Sequence, residues 1–273
     1  MDIKLLEQLK ILNPWWDLGA SGVDRYNDPV FKRELFHEVV ARINQNEADQ
    51  IISVVGMRQV GKSTMMRQVI RALLTAGKKP HYIFYVVFDD TFLQTRFAEK
   101  DIFEAVMSTY VEGILREPLS SVKEPLYFFF DEVTKLPNFE KILKTLYDRK
   151  YPIRYFITGS SAVELRQGGR ESLLGRIKEY VLTPFSFREY LAYKLSEAGE
   201  KGPLCEAIET LRDSRLVFAS KMRTDELYSH AKNIYAELAT QFKPKILGYL
   251  RRFVIDSGFP RVWKEGESFL YRQ

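Results

Sequence analysis

Between an apolar, β-branched run, Ile51–Val55, and a helix-forming stretch that begins at Lys62 lies Gly56-Met-Arg-Gln-Val-Gly61-Lys62-Ser63. This G-x-x-x-x-G-K-[ST] spacing constrains the chain more than any other feature. Glycines let the backbone wrap closely around a ligand and turn its N–H groups inward. The helix that follows presents its positive end to phosphate. The pattern predicts that Gly56, Met57, Arg58, Gln59, Val60, Gly61, Lys62, Ser63 and Thr64 cradle the phosphates of a nucleotide. Lys62 is placed to reach the β- and γ-phosphates, and the Ser63 hydroxyl to bind Mg²⁺. The expected cofactors are therefore ATP and Mg²⁺. The competing reading, a glycine-rich turn carrying an exposed lysine, fits poorly with a strand in front and a helix behind.

Around this motif, strand-like and helix-like segments alternate. The run 51–55 reads as a central parallel strand buried on both faces, 82–88 as a second buried strand, and 126–130, 153–158 and 177–182 as a third, fourth and fifth. Helical stretches at 62–76, 102–115 and 139–148 separate most of them, which predicts an α/β fold with a parallel sheet and helices on both faces. Residues 1–12 read as a helix stopped by Asn13-Pro14, residues 18–28 as a loop, and about 30–46 as a helix. After Pro184 the pattern turns helical throughout. The expected division is an N-terminal helix and linker at 1–29, a nucleotide-binding domain at 30–200, and a helical segment at 201–273 that begins a further domain.

Three further features carry chemistry. Leu126-Tyr-Phe-Phe-Phe-Asp131-Glu132 is an apolar strand ending in two carboxylates. Asp131 is the expected metal residue with Ser63, and Glu132 the base that orients and deprotonates water. Thr158-Gly159-Ser160-Ser161 ends the fourth strand. The Ser160 hydroxyl there reads equally as a sensor of the γ-phosphate and as a helix N-cap. Arg176, after Ser172-Leu-Leu-Gly175, is the candidate arginine finger, in cis or from a neighbouring subunit, with Arg170 and Arg188 as rivals. The expected catalytic set is Glu132, Lys62, Arg176 and Ser160.

Composition sets outer limits. The 273 residues are 45% hydrophobic and 28% charged, in the range of globular proteins. The net charge of +5 permits a polyanionic partner without requiring one. A single cysteine, Cys205, forbids an intramolecular disulfide, and three scattered histidines suggest no metal cluster. The N-terminus lacks the layout of a signal peptide, and no apolar run reaches membrane-spanning length, so a cytoplasmic location without membrane contact is expected.

The order of these motifs, with Val133-Thr-Lys-Leu-Pro-Asn-Phe after the carboxylates and Thr183-Pro-Phe-Ser-Phe-Arg-Glu-Tyr190 after the fifth strand, resembles a prokaryotic family of AAA-type ATPases over about residues 30–195. The resemblance implies a P-loop NTPase sheet of strand order 5-1-4-3-2, with Gly175-Arg176 as the family's glycine–arginine pair. It also matches Asn13-Pro14-Trp15-Trp16 to a segment before the core, which either packs near the adenine or docks by burial alone. The family usually has Gln where Thr134 stands. Leu250–Pro260, with its Gly-Phe-Pro, looks like the start of a C-terminal winged-helix and nuclease-like domain. Relatives continue past the point where this chain stops at Gln273, so a truncated form is expected and no nuclease residue is carried over.

The functional expectation is hydrolysis of Mg–ATP driving a conformational change in an attached or partner domain. An alternative is a nucleic-acid-binding module with ATP as a switch, resting on Lys243, Lys245, Arg251, Arg252, Arg261 and Lys264. A P-loop kinase lacks a recognisable lid, and no guanine-reading Asn-Lys-x-Asp occurs. The expected partners are ATP and DNA or another protein. A homo-oligomer is required if Arg176 acts in trans.

Overall fold

A computed structural model describes residues 2–45, 50–97, 101–159, 173, 175–209, 232, 236, 240–256, 258 and 259. The chain falls into two compact units. One comprises Met1–Lys32 with Val39–Leu182, and the other Arg33–Glu38 with Thr183–Gln273.

The first unit is built on a five-stranded sheet: β1 (Ile51–Val55), β2 (Ile83–Val87), β3 (Leu126–Asp131), β4 (Ile153–Gly159) and β5 (Ile177–Val181). All pairings described are parallel, in the order β2-β3-β4-β1-β5. This is the expected 5-1-4-3-2 order. The strand bounds agree with the sequence pattern to within one residue.

Among the described residues the α-helices include α1 (Ile3–Leu12), α2 (Trp15–Leu18), α3 (Glu34–Ile43), α4 (Lys62–Thr75), α5 (Thr91–Arg96), α6 (Ile102–Tyr110), α7 (Phe139–Asp148), α8 (Phe187–Glu197) and α9 (Lys243–Asp256). Asp90 starts the short α5 by accepting from the amides of Phe92 and Leu93. The stretch read as a loop at 18–28 is largely 3₁₀ helix, Gly19–Tyr26. Its glycines and polar residues disfavour α-helix but tolerate single tight turns.

The three consecutive phenylalanines of β3 divide between the two faces of the sheet, as a two-residue period requires. Phe128 and Phe130 join Phe84, Tyr110 and Tyr155 in one aromatic core. Phe129 faces the other way, against Phe156 at 5.7 Å.

The free edge of β2 is covered by side chains rather than by another strand. Asn13, fully buried, accepts from the Tyr85 amide (2.7 Å) and donates to the Tyr85 carbonyl (2.8 Å), so its amide group stands in for a strand partner. The indole N–H groups of Trp15 and Trp16 both donate to the Ile83 carbonyl, at 3.0 and 2.9 Å. The Asn-Pro-Trp-Trp segment is therefore an edge cap. It sits at β2, the strand at one edge of the sheet, and of the two alternatives the contacts show docking by burial and hydrogen bonding.

In the second unit, Ser186 starts α8 with a reciprocal capping box to Glu189. Leu191 and Leu195 pack with Leu204 and Ile208. Glu189 also takes two hydrogen bonds from the guanidinium of Arg33, at 2.8 and 2.9 Å, and both side chains are 7% exposed. Burial raises the Glu189 pKa. Arg33 and the amides of Ser186 and Glu34 outweigh burial and leave it below the ordinary value.

Two stability predictions follow from these contacts. Asn13→Ala leaves the buried N–H and C=O of Tyr85 unpaired, and chemical denaturation should register about 1–3 kcal/mol lost for each group. Glu189→Gln strands a buried guanidinium and should cost about 3–5 kcal/mol near neutral pH. Because folding lowers the Glu189 pKa, the pair's contribution is fully present above 4.5 and is lost as pH falls through the lower folded value. The difference between wild type and Glu189→Gln should therefore shrink in acid.

Candidate functional site

Parallel strands bring their carboxyl ends to one edge of a sheet, and loops leaving that edge form the usual ligand crevice. Here the loop 56–61 leaves β1, Asp131 ends β3, and Thr158 lies in the last turn of β4. The sheet order β3-β4-β1 places all three side by side.

The loop's glycines have separate reasons. A Cβ on Gly56 would collide with the Leu182 carbonyl oxygen, because β5 closes over the loop's first residue. Gly61 has open space around it but adopts φ +103°, a conformation that L residues avoid. Gln59 also has positive φ, +64°. Met57, Arg58 and Gln59 are exposed at the loop tip, while Val60 is fully buried and anchors it. Ser63 and Thr64 are half-buried in the first turn of α4.

Lys62 folds back over the loop. Its Nζ donates to the carbonyls of Gly56 (3.0 Å) and Met57 (3.2 Å) and lies 3.6 Å from Glu132 Oε1. The lysine side chain is 4% exposed and the glutamate 18%. The structure thus brings the predicted lysine and the predicted base together. Glu132 has φ +51°, the left-handed region that a glutamate rarely adopts, so the backbone turns sharply directly after β3.

Asp131 is 2% exposed. Its Oδ1 accepts from the Thr158 hydroxyl and its Oδ2 from the Tyr85 hydroxyl at 3.1 Å. Thr158 Oγ1 in turn accepts from the Glu132 amide at 2.9 Å. Burial, and next the Asp131 charge, push the Tyr85 pKa well above its ordinary value, so its hydroxyl keeps the proton it donates. Thr158 and Tyr85 were not singled out from the sequence. For Thr158 the signal was available: Phe130 pairs with Ile157, so the next residues in register are Asp131 and Thr158. Ser160, the hydroxyl chosen instead, lies outside the described residues, as do Arg170 and Ser172.

Arg176 sits at the other end of the sheet. Its carbonyl accepts from the Ile51 amide, directly before β1 and β5 begin in register. The loop at Gly56 is five residues further along β1, about 16 Å at about 3.3 Å per residue. The guanidinium pairs with Asp148 at 3.2 Å and lies over the Tyr147 ring at 5.6 Å. Arg176 and the phosphate loop of its own chain thus lie at opposite ends of the sheet. The rival Arg188 is engaged by Glu34 in the second unit. Of the basic residues in the C-terminal segment, Lys245 pairs with Glu200, Arg251 and Arg252 are exposed, and Arg261 and Lys264 lie outside the described residues. A cavity of about 210 Å³ lined by Tyr147, Tyr151 and Tyr155 also lies at the N-terminal ends of the strands, away from the phosphate loop.

Among the described residues, no group of three or more His, Cys, Asp or Glu is placed to hold a metal. A magnesium site typically uses one or two protein oxygens together with substrate phosphates and water. Ser63 and Asp131 supply oxygens of that hard type at the carboxyl edge of the sheet. Among the described residues, no helix is long and apolar enough to cross a membrane.

These features define a P-loop nucleotide-binding domain of the α/β class. The family described as AAA domain matches residues 48–191, more than half of the chain. The protein belongs to this prokaryotic AAA-type ATPase family. An uncharacterized protein of Methanocaldococcus jannaschii is 29% identical over 139 residues, covering 50% of this chain and 31% of that protein. Another, from Haemophilus influenzae, is 29% identical over 153 residues, covering 56% of this chain and 36% of that protein. The chain thus spans about a third of the length of these relatives. Among solved structures, AMPPCP-bound DnaA from Aquifex aeolicus aligns with TM-score 0.42 and 16% identity over 77% of this chain and 64% of that one. PCH-2 of C. elegans aligns with TM-score 0.41 and 13% identity over 80% and 67%.

The two glycine mechanisms predict separate outcomes on stability. Gly56→Ala should cost about 1–3 kcal/mol through overpacking against Leu182. Gly61→Ala should cost a similar amount through backbone strain. Gly56→Ala should lose little of its penalty in a Val60→Ala background, since only one wall of its contact is removed, and urea titrations of the four proteins check this.

Proposed function

We propose that the chain binds Mg–ATP at the loop 56–64 and hydrolyses it, using the energy to move an attached or partner domain. The observation that carries the reading is the convergence of Lys62 and Glu132, 3.6 Å apart, beside a buried Asp131 whose two oxygens are both hydrogen-bonded. A buried carboxylate that is held in place beside a phosphate loop suits the holding of a cation, and that cation would neutralise charge at a phosphoryl group together with the loop's lysine.

In this reading the loop amides and Lys62 take the phosphates. Lys62 now spends its protons on the Gly56 and Met57 carbonyls and would exchange these for phosphate oxygens, releasing Glu132. Glu132, aimed by its left-handed backbone, orients a water and accepts its proton. Ser63 and Asp131 would hold Mg²⁺, which supplies neutralisation of the developing charge. Thr158 ties the Asp131 carboxylate to the Glu132 amide, so that the metal residue and the base move as one. Ser160 is assigned to the sensing of the γ-phosphate. Arg176 would complete the site of a neighbouring copy, which makes a homo-oligomer part of the proposal. The bounds 30–200 for the ATPase domain and a cytoplasmic location belong to it as well.

Phosphate release and fluorescent-nucleotide binding test the assignment. Glu132→Gln should bind Mg–ATP and lose turnover by about 10²–10⁴-fold. Lys62→Ala should lose nucleotide binding as well. Wild-type turnover in Glu132→Gln would remove the base from the scheme. Mixing Glu132→Gln chains with Arg176→Ala chains should restore part of the turnover that each lacks alone, because a mixed interface pairs an intact base with an intact arginine. A mixture no more active than its components, in a preparation shown to exchange subunits, would exclude the trans role.

A further inference from the structure

We infer that Tyr85 is a positioning residue for Asp131, set by Arg67 and through it by the N-terminal segment. The inference rests on the metal site proposed above and deepens it.

Tyr85 and Asp131 lie on the same face of the sheet, since Val87 pairs with Asp131 and Tyr85 is two residues earlier. The Tyr85 hydroxyl donates to Oδ2 while the Thr158 hydroxyl donates to Oδ1. The carboxylate group cannot turn about its Cβ–Cγ bond without breaking both bonds. Tyr85 itself is 2% exposed. A tyrosine hydroxyl has one hydrogen, and that of Tyr85 is directed at Asp131.

Arg67 stands on α4, the helix that begins with Lys62 and Ser63. Its guanidinium makes a two-point contact with Asp28, with both hydrogen bonds at 2.7 Å, and lies 4.8 Å over the Tyr26 ring. Arg67 thus ties the helix carrying Ser63 to residues 26–28 before the core, and the Tyr26 ring beneath it meets the Tyr85 ring edge-on at 6.3 Å. The separation of Ser63 from Asp131, on which shared coordination of one cation depends, is fixed from this point. Groups that orient a metal ligand through hydrogen bonds typically change metal affinity about 10–100-fold when removed.

The test is Mn²⁺ binding by the full chain, read from the loss of the free-ion electron paramagnetic resonance signal, with a non-hydrolysable ATP analogue present. Nucleotide binding in EDTA is measured in parallel. Tyr85→Phe, which removes only the hydroxyl, should weaken Mn²⁺ binding roughly tenfold or more, with metal-free nucleotide binding unchanged. Asp28→Asn, which loosens Arg67 without touching the sheet, should weaken Mn²⁺ in the same direction by a smaller factor. Wild-type Mn²⁺ affinity in Tyr85→Phe overturns the inference. Should Tyr85→Phe fail to fold, Asp28→Asn decides, and wild-type affinity there overturns it equally. Asp131→Asn separates the two levels. If it binds Mn²⁺ as wild type does, the metal site itself is wrong. If it loses Mn²⁺ while Tyr85→Phe and Asp28→Asn do not, only the positioning role falls.

Discussion

A carboxylate buried to 2% exposure at the end of a hydrophobic strand is the arrangement on which the rest depends. Such a charge is costly unless hydrogen bonds replace its water. The replacements come from the two strands flanking β3, Thr158 of β4 on one side and Tyr85 of β2 on the other. That is possible only if β3 lies between β2 and β4 in a fixed parallel register. A slip of one residue would turn either hydroxyl to the opposite face. Sheet order, register and site are therefore one constraint.

The segment before the core serves the same end by two routes. Asn13, Trp15 and Trp16 satisfy backbone groups of β2, whose unpaired edge would otherwise be open to another strand. They fix the strand from which Tyr85 projects. Further along, Asp28 and Tyr26 hold Arg67 on the helix that follows the phosphate loop. Thus 28 residues that contribute no strand to the sheet brace both the strand beside the buried Asp131 carboxylate and the helix that follows the phosphate loop.

Much of this was legible from the residues, and what was not has identifiable causes. The strands β1 to β4 are buried on both faces or nearly so, and their apolar runs mark them, as the glycine-lysine spacing and the Asp131-Glu132 pair mark the site; β5, Ile-Lys-Glu-Tyr-Val at the sheet's edge, is largely exposed and carries a weaker signal. Tyr85 was hidden because a tyrosine inside Ile-Phe-Tyr-Val-Val reads as core, and its hydroxyl acquires meaning only from a strand more than 40 residues later. Arg67 was hidden because an arginine within a helix reads as surface. Asn13 before Pro14 reads as a helix stop. It is one, yet its side chain also does the work of a strand, which local pattern does not encode. Thr158 meets Asp131 because of sheet register, which the local sequence does not display.

The two ends of the sheet carry different parts of the chemistry, and the difference bears on Arg176. A cation meant for the phosphate of its own chain belongs at the carboxyl edge with Lys62, whereas Arg176 leads into β5 at the opposite edge. Its present partner is weakly held. The pair with Asp148 is 3.2 Å long, and the two side chains are 29% and 45% exposed. Ion pairs that accessible contribute about 0–1 kcal/mol. A triphosphate carries more charge than one carboxylate and accepts an arginine at two points. In the proposed scheme Arg176 would exchange Asp148 for the phosphate of an adjoining copy, so that the site would be completed between subunits.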